Sequence, residues 1–297
     1  MIKWSKILRC LGALAMSMIL ASCLSGQGGP GADSGHAARR APLALTYVAN
    51  EGVLVSSGSS KVLIDALFDK PTPEYRAPSP DVLAEIMKGE APFDRVDVVV
   101  VTHNHPDHFD APLAVRYMAT VPGPLLVAPA DAVAEMQKQA DWARIEPRVV
   151  PLEIAVGETA RRDLKGVRLT AFRTLHSGDR ESPMNLMYLL ELNGWRAFHE
   201  GDPTGRCNAF GGFGVGSPPI DVALVHFWYP LEPNCARFLQ QDLKPDHIAL
   251  MHLPLRLEGD APSKIDKVKT YYKDLFLLLP GMGTKVFQRE DPTGKSS

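Results

Sequence analysis

Cysteine is scarce in this chain: there are four among 297 residues, and two of them, Cys10 and Cys23, lie near the start. That leaves Cys207 and Cys235 as the one pair that an oxidising compartment could join, although sequence alone sets no distance between them. An excess of basic charge is also missing, with 32 Lys and Arg against 34 Asp and Glu. A nucleic-acid footprint needs clustered Lys and Arg, so nucleic acid is not an expected partner. No uncharged apolar run reaches the length of a membrane-spanning helix. There is no internal repeat, which removes the solenoid architectures, and no low-complexity block beyond about residue 41. What remains is an ordinary globular composition, 45% apolar, ample for a packed core.

At the N-terminus, Lys3, Lys6 and Arg9 precede the uncharged run from Cys10 to Ser22, the charge order of a secretory signal, and the run is too short to span a bilayer. It ends in Leu20-Ala21-Ser22-Cys23, which resembles the lipobox of bacterial lipoproteins, where the Cys becomes the lipidated first residue after cleavage. The alternative is a plain secretory signal cut nearby. Residues 1–22 are thus expected to be a lipoprotein signal peptide. Their removal leaves 29 basic residues against 34 acidic ones, a net charge of −5. The Gly-, Ala- and Ser-rich stretch 23–42 cannot bury enough surface to order itself and reads as a flexible tether. The expected address is the bacterial cell envelope, periplasmic or surface-exposed, with the membrane reached through lipidated Cys23.

From residue 43 the pattern is α/β. Three short β-rich runs, at Ala44–Val48, Val53–Val55 and Lys61–Asp65, open the domain as a meander. Ser79-Pro80, apolar residues at helical spacing and then Gly89 predict a capped helix. A central strand is predicted over Val96–Val101 and a helix after Asp110, with Asp110 as its N-cap. Further on, a strand is predicted at Leu125–Val127, a helix at Ala130–Ala140 and a strand at Arg148–Val150. A second series of strands follows at Val167–Thr174, Met184–Leu192, Trp195–His199, Ile220–Val225 and His247–Met251. The apolar stripe Ile265, Val268, Tyr272 and Phe276 predicts a helix over Ser263–Leu277.

Chemistry concentrates directly after the Val96–Val101 run, in Thr102-His103-Asn104-His105-Pro106-Asp107-His108. A polar cluster at the C-terminal end of a central strand is where α/β proteins place their sites, and three imidazoles with a carboxylate are metal ligands. His103-x-His105-x-Asp107-His108 after a hydrophobic strand resembles the signature of the metallo-β-lactamase superfamily. Three further residues match the family's later motifs in order: His176 in Thr174–Gly178, Asp202 in Phe198–Asp202 and His252 after Ala249–Met251. The resemblance covers about residues 43–297 and implies a four-layer αββα sandwich and two cations, one on His103, His105 and His176, the other on Asp107, His108 and His252, with Asp202 between them. The imidazole-rich set favours two Zn²⁺, with Mn²⁺ or Fe²⁺ as alternatives. A metal-bridging hydroxide is the implied nucleophile, oriented by Asp107 as the catalytic carboxylate.

Within the superfamily, Thr46–Gly52, the pair Ile64-Asp65 and the stretch His103–Asp110 resemble the branch containing ascorbate-6-phosphate lactonase and N-acylphosphatidylethanolamine phospholipase D. That branch implies a phosphodiester, lactone or ester as substrate, small or lipid-derived. The alternatives are a β-lactamase-like amide hydrolase and a metal-binding lipoprotein without turnover. A nuclease is disfavoured, since there is no room for the clamping domain of such relatives. His226, Tyr229 and Arg256 are candidate substrate contacts, with a packed corner as the other reading of Val225–Pro230. His199 is expected to be buried and satisfied, and His247 structural. The Gly211–Gly216 stretch lacks the following helix that a phosphate cradle needs and reads as a lid, with Phe210 and Phe213 as its apolar contacts.

Overall fold

The computed structural model describes residues 41–205, 207 and 212–289. The stretches expected to be a signal peptide and, nearly all of it, a tether, including Cys23, lie outside the described residues, as does Phe210. Two seven-stranded sheets face each other. The first runs in the order β14-β1-β2-β3-β4-β5-β6, from β1 (Leu43–Ala49), β2 (Gly52–Ser57), β3 (Ser60–Ile64), β4 (Val98–Val100), β5 (Leu125–Pro129), β6 (Val149–Leu152) and β14 (Thr284–Phe287). The second runs β13-β12-β11-β10-β9-β8-β7, from β7 (Thr159–Leu164), β8 (Val167–His176), β9 (Arg180–Leu192), β10 (Trp195–His199), β11 (Val222–His226), β12 (His247–Met251) and β13 (Leu275–Leu277).

The inner faces of both sheets bury one apolar cluster that includes Val53, Ile64, Val100, Leu190, Trp195 and Leu224. Helices α1 (Pro80–Lys88), α2 (Ala111–Thr120), α3 (Ala130–Met136) and α4 (Trp142–Ile145) cover the outer face of the first sheet. Helices α5 (Pro233–Arg237) and α6 (Ala261–Val268), with the π-helical turn Phe238–Leu243, cover the second. This is the expected αββα sandwich.

Local chemistry sets the helix ends. Ser79 accepts from the Val82 amide and Gly89 closes α1 in the left-handed region, as the Ser-Pro…Gly pattern predicts. Asp110 Oδ1 accepts from the Leu113 amide at 2.7 Å, so Asp110 is a cap. Three expectations are corrected. The predicted helix over Ser263–Leu277 stops at Val268; after a 3₁₀ turn at Lys269–Tyr271 the chain extends, and Phe276 sits on β13. The predicted helix over Ala130–Ala140 stops at Met136, and α4 follows beyond its predicted end. The edge strands β7 and β14 were not foreseen, because the charged β7 sequence Thr-Ala-Arg-Arg-Asp-Leu carries no buried alternation.

Cys207 and Cys235 form a disulfide, with Cα atoms 5.1 Å apart and a sequence separation of 28. It ties the segment after Asp202 to α5. A loop of that size contributes about 3–4 kcal/mol by restricting the unfolded chain. Reduction, or Cys235→Ser, is therefore expected to lower the melting temperature by on the order of 10 °C in thermal denaturation with and without a thiol reductant. An unchanged midpoint would mean that the pair adds nothing to the fold.

Candidate metal centre

One rim of the sandwich collects the C-terminal ends of β3, β4, β8, β10, β11 and β12. These ends supply Asp65, the Thr102–His108 loop, His176, Asp202, His226 and His252, and the β1–β2 turn adds Asn50 and Glu51. Three of these residues adopt left-handed backbone despite carrying side chains: Asn50 (φ 48°), Asp65 (φ 41°) and His252 (φ 57°). Such conformations persist where the surroundings over-determine them, and they cluster at functional sites. Gly201 (φ 61°) is required before Asp202, since a Cβ there would stand 2.9 Å from Asn185 Oδ1 and 3.0 Å from Thr102 Cβ. Asn185 Oδ1 then accepts from the Asp202 amide at 3.0 Å and fixes that carboxylate's approach.

Hydrogen bonds decide which imidazole nitrogen faces the centre. Asp65 Oδ2 accepts from the Thr102 hydroxyl at 2.5 Å, so that hydroxyl oxygen is left to accept from His103 Nδ1 at 3.0 Å. Asp65 Oδ2 also accepts from His108 Nδ1 at 2.9 Å, and the Ser177 carbonyl accepts from His176 Nδ1 at 3.3 Å. Glu200 Oε1 accepts from His226 Nδ1 at 2.5 Å. With the Nδ1 proton engaged in each ring, the Nε2 lone pair points inward, as in the carboxylate–histidine–metal arrangement. Buried His103 Nε2 and His108 Nε2 have no hydrogen-bond partner. A buried acceptor left in that state is costly unless a cation takes it.

The donor atoms gather as the residue types suggest. Those of His103, His105, His176 and Asp202 lie within 4.8 Å of one another, as do those of Asp107, His108 and His252. Asp202 Oδ2 is 3.0 Å from His176 Nε2, while Oδ1 turns the other way, 3.3 Å from His226 Nε2. Asp107 Oδ2 is 3.4 Å from His108 Nε2 and 3.6 Å from His252 Nε2, and it accepts from Asn50 Nδ2 at 3.1 Å. Two donors of one zinc ion, each about 2.0–2.2 Å from it, stand roughly 3.3–3.6 Å apart. Several of these separations match that edge.

The electrostatics agree. Burial raises the Asp107 carboxyl, but the nearby His108, 3.4 Å away, with His252, outweighs it and holds the group far below the usual carboxylate range. Burial is likewise outweighed at Asp202 by its close approach to the rings of His176 and His226, which holds the carboxyl far below its usual range. Burial lowers His252 to about 4, so its ring is neutral near pH 7. Burial also drives His103 well down, His108 adding to the effect. Ionised Asp107 and Asp202 and neutral His103 and His252 are the states that bind divalent cations, whereas His108 is held well above the usual histidine range by Glu51 and Asp107 despite its burial, so a cation there must displace a proton.

All seven residues predicted as ligands are brought together: His103, His105, Asp107, His108, His176, Asp202 and His252. Of the predicted substrate contacts, His226 faces the cluster, its ring 4.8 Å from that of His252. Tyr229 does not reach the cavity. It is 1% exposed behind His226 and hydrogen-bonds to Glu200, so the packed-corner reading describes it. Arg256 lies exposed in the 3₁₀ turn Leu255–Leu257. His199 is satisfied: its Nε2 donates to the Glu51 carbonyl and its Nδ1 accepts from the Gly201 amide. His247 pairs with Asp274 at 2.9 Å at the start of β12, the end opposite His252. Phe213 packs edge-on to Phe172, a core contact.

Asp65, Glu51, Glu200 and Tyr75 were missed. The Ile64-Asp65 strand ending and the Asn50-Glu51-Gly52 turn were visible as patterns, but their burial was not. Tyr75 sits on the loop clipped over the rim by the Leu255 amide to the Glu74 carbonyl (2.9 Å) and by Arg76 to Glu258 (2.6 Å). Its ring lies 4.3 Å from that of His252. Burial, with Asp107 and Asp202, raises its pKa, so it stays a phenol that can donate. Tyr75→Phe is expected to lower kcat/KM about threefold to tenfold, one neutral hydrogen bond, without changing metal content. Steady-state kinetics on the metal-loaded protein check this; unaltered kinetics would make Tyr75 a packing residue only.

Fold and donor set together define a metal-dependent hydrolase class. A family model of the beta-lactamase superfamily domain matches residues 60–258, and the chain belongs to this superfamily. Solved structures share the fold. The novel metallo hydrolase Igni18 from Ignicoccus hospitalis is 17% identical, with a TM-score of 0.58 over 84% of this chain and 100% of that one. The metallo-beta-lactamase fold protein YhfI from Bacillus subtilis is 15% identical, with a TM-score of 0.57 over 83% and 99%. The diiron beta-hydroxylase CmlA from Streptomyces venezuelae is 13% identical, with a TM-score of 0.53 over 83% of this chain and 54% of that one. A search of the curated proteins finds no match.

Proposed function

We propose that the chain is a dinuclear zinc hydrolase of the bacterial cell envelope, held to the membrane through lipidated Cys23 and acting on a phosphodiester, or on a lactone or ester, of small or lipid-derived type. The observation behind this reading is the split of Asp202, whose Oδ2 faces His176 Nε2 at 3.0 Å and whose Oδ1 turns away toward His226 Nε2 at 3.3 Å, beside the ring of His252. Superfamily membership supports hydrolysis, and the branch resemblance of the Asn50-Glu51-Gly52 and Ile64-Asp65 segments supports the substrate class. The Cys207–Cys235 disulfide is in keeping with an oxidising compartment.

Two divalent cations bound here supply Lewis acidity toward the scissile carbonyl or phosphoryl group and acidify water enough for attack near neutral pH. The protein does the rest. His103, His105 and His176 would hold the first position and Asp107, His108 and His252 the second, with Asp202 available to both. Asp107 Oδ2, steadied by Asn50, accepts the attacking water's hydrogen and aims it. Its low pKa makes it an orienting acceptor rather than a group that keeps the proton. His226 and Tyr75 border the space that the substrate enters.

Metal analysis of the purified full chain, with turnover against phosphodiester, lactone, ester and β-lactam panels, tests the reading. Two zinc per chain and phosphodiester, lactone or ester turnover lost in Asp107→Ala support it. Turnover confined to β-lactams replaces it with the amide-hydrolase reading, and full metal with no turnover replaces it with a binding role. Membrane association lost in Cys23→Ala supports the anchor, and unchanged partitioning removes it.

A further inference from the structure

Glu51 is 0% exposed, and neither carboxylate oxygen has a hydrogen-bond partner. Its Oε1 lies 3.7 Å from His226 Nε2 and its Oε2 lies 3.7 Å from His108 Nδ1, beyond hydrogen-bond reach. A carboxylate stripped of water and of donors is far too costly to keep unless a cation or a proton compensates it. The turn that carries it is built for the purpose. Asn50 adopts left-handed backbone and hands its amide to Asp107, while a Cβ at Gly52 would stand 2.7 Å from the Asp65 carbonyl, so only glycine permits the turn to press inward.

His226 is the second unused donor. Glu200 engages its Nδ1, and its Nε2 stands 3.3 Å from Asp202 Oδ1. Donor atoms of Glu51, His226 and His252 lie within 4.8 Å of one another, and His252 also belongs to the group with Asp107 and His108. The shared His252 makes these two groups adjoin.

Resting on the dinuclear reading above, we propose that Glu51 and His226 are additional ligands of the second metal position, reached from the side of His252. The position then offers six protein donors, from Asp107, His108, Asp202, His252, Glu51 and His226. Such a mixed oxygen and nitrogen set suits five- or six-coordination rather than a tetrahedral zinc site, and it extends the choice of ion toward iron or manganese.

The test measures metal, not turnover. Full-length protein and its Glu51→Gln and His226→Gln variants are stripped, titrated with Co²⁺ alone and followed by visible absorption and by elemental analysis after dialysis. The expected result is an unchanged first equivalent and a second bound about tenfold or more weakly in each variant. Absorption of the second cobalt should strengthen as it falls toward four-coordination. Glu51→Asp, which keeps the charge but shortens the reach, should be intermediate, and a thermal melt shows that each variant is folded. Two equivalents bound with wild-type affinity and spectrum in all three folded variants overturn this inference and leave the dinuclear reading standing. A wild type that binds fewer than two ions overturns both.

Discussion

Asp202→Ala is expected to abolish turnover and to strip the protein of more metal than any other single substitution in the site. The reason is its position: Oδ2 lies 3.0 Å from His176 Nε2, in the group with His103 and His105, while Oδ1 turns away from it toward His226 Nε2 at 3.3 Å, beside His252, so the proposed sharing draws on both oxygens. Removing either imidazole set alone leaves one position able to bind. Removing Asp202 takes a charged ligand from both and leaves two arrays of imidazoles facing each other without the carboxylate between them. The cations' stabilisation of developing charge amounts to several kcal/mol, so turnover should fall by roughly three orders of magnitude or more. Elemental analysis should find both equivalents weakened, whereas His105→Ala weakens the first alone. If Asp202→Ala keeps two tightly bound ions, the carboxylate is not shared and the assignment of the two groups fails. The metals also compete with protons here. Burial lowers His108 and His226, but Glu51 and Asp107 for the first and Glu200 for the second outweigh it, and both rings sit well above the usual histidine range. A cation at either Nε2 displaces a proton, so metal affinity should weaken as the pH falls.

The seven-residue ligand set was legible because four of its members sit in one short loop and the rest each close a strand. That arrangement needs only the strand pattern to be readable, and the Val96–Val101 run is unambiguous even though β4 itself spans Val98–Val100. The two sheets were legible for the same reason: their inner strands are nearly continuous apolar runs. Other features depend on contacts that no local pattern encodes. Glu51 is visible in the sequence only as part of the Thr46–Gly52 stretch, and its burial follows from β10 and β11 arriving opposite it. Tyr229 reads as a pocket aromatic because the strand end before it faces the metals, but the 3₁₀ turn Tyr229–Leu231 swings it under His226. The helix predicted to Leu277 failed where helical and strand spacing coincide. Ile265 and Val268 lie on α6, whereas Leu275 and Phe276 satisfy the same apolar demand by pairing beside β12.

Asp65→Asn should cost most among residues that touch no cation. Asp65 is 2% exposed and its two oxygens take three donors: the Thr102 amide at 2.8 Å on Oδ1, and the Thr102 hydroxyl and His108 Nδ1 on Oδ2 at 2.5 and 2.9 Å. One carboxylate thereby fixes the ring of His108 directly and that of His103 through the Thr102 hydroxyl, one residue for each metal position. An amide of the same shape has a single acceptor oxygen, so its NH₂ must confront at least one donor. Either the His108 ring turns, or its proton moves to Nε2, the atom that should bind metal. Loss of such an outer partner costs about 10–100-fold in metal affinity, and a buried donor left unpaired costs about 1–3 kcal/mol of stability. Chelator competition should show both equivalents weakened, and denaturant unfolding of the stripped protein should show the lost stability. Thr102→Val separates the two routes, since it cuts only the link to His103 and should weaken the first equivalent while sparing the second. If Asp65→Asn binds both ions as the wild type does, the orientation of His103 and His108 is set by packing, and the hydrogen bonds through Asp65 are not what aims their lone pairs.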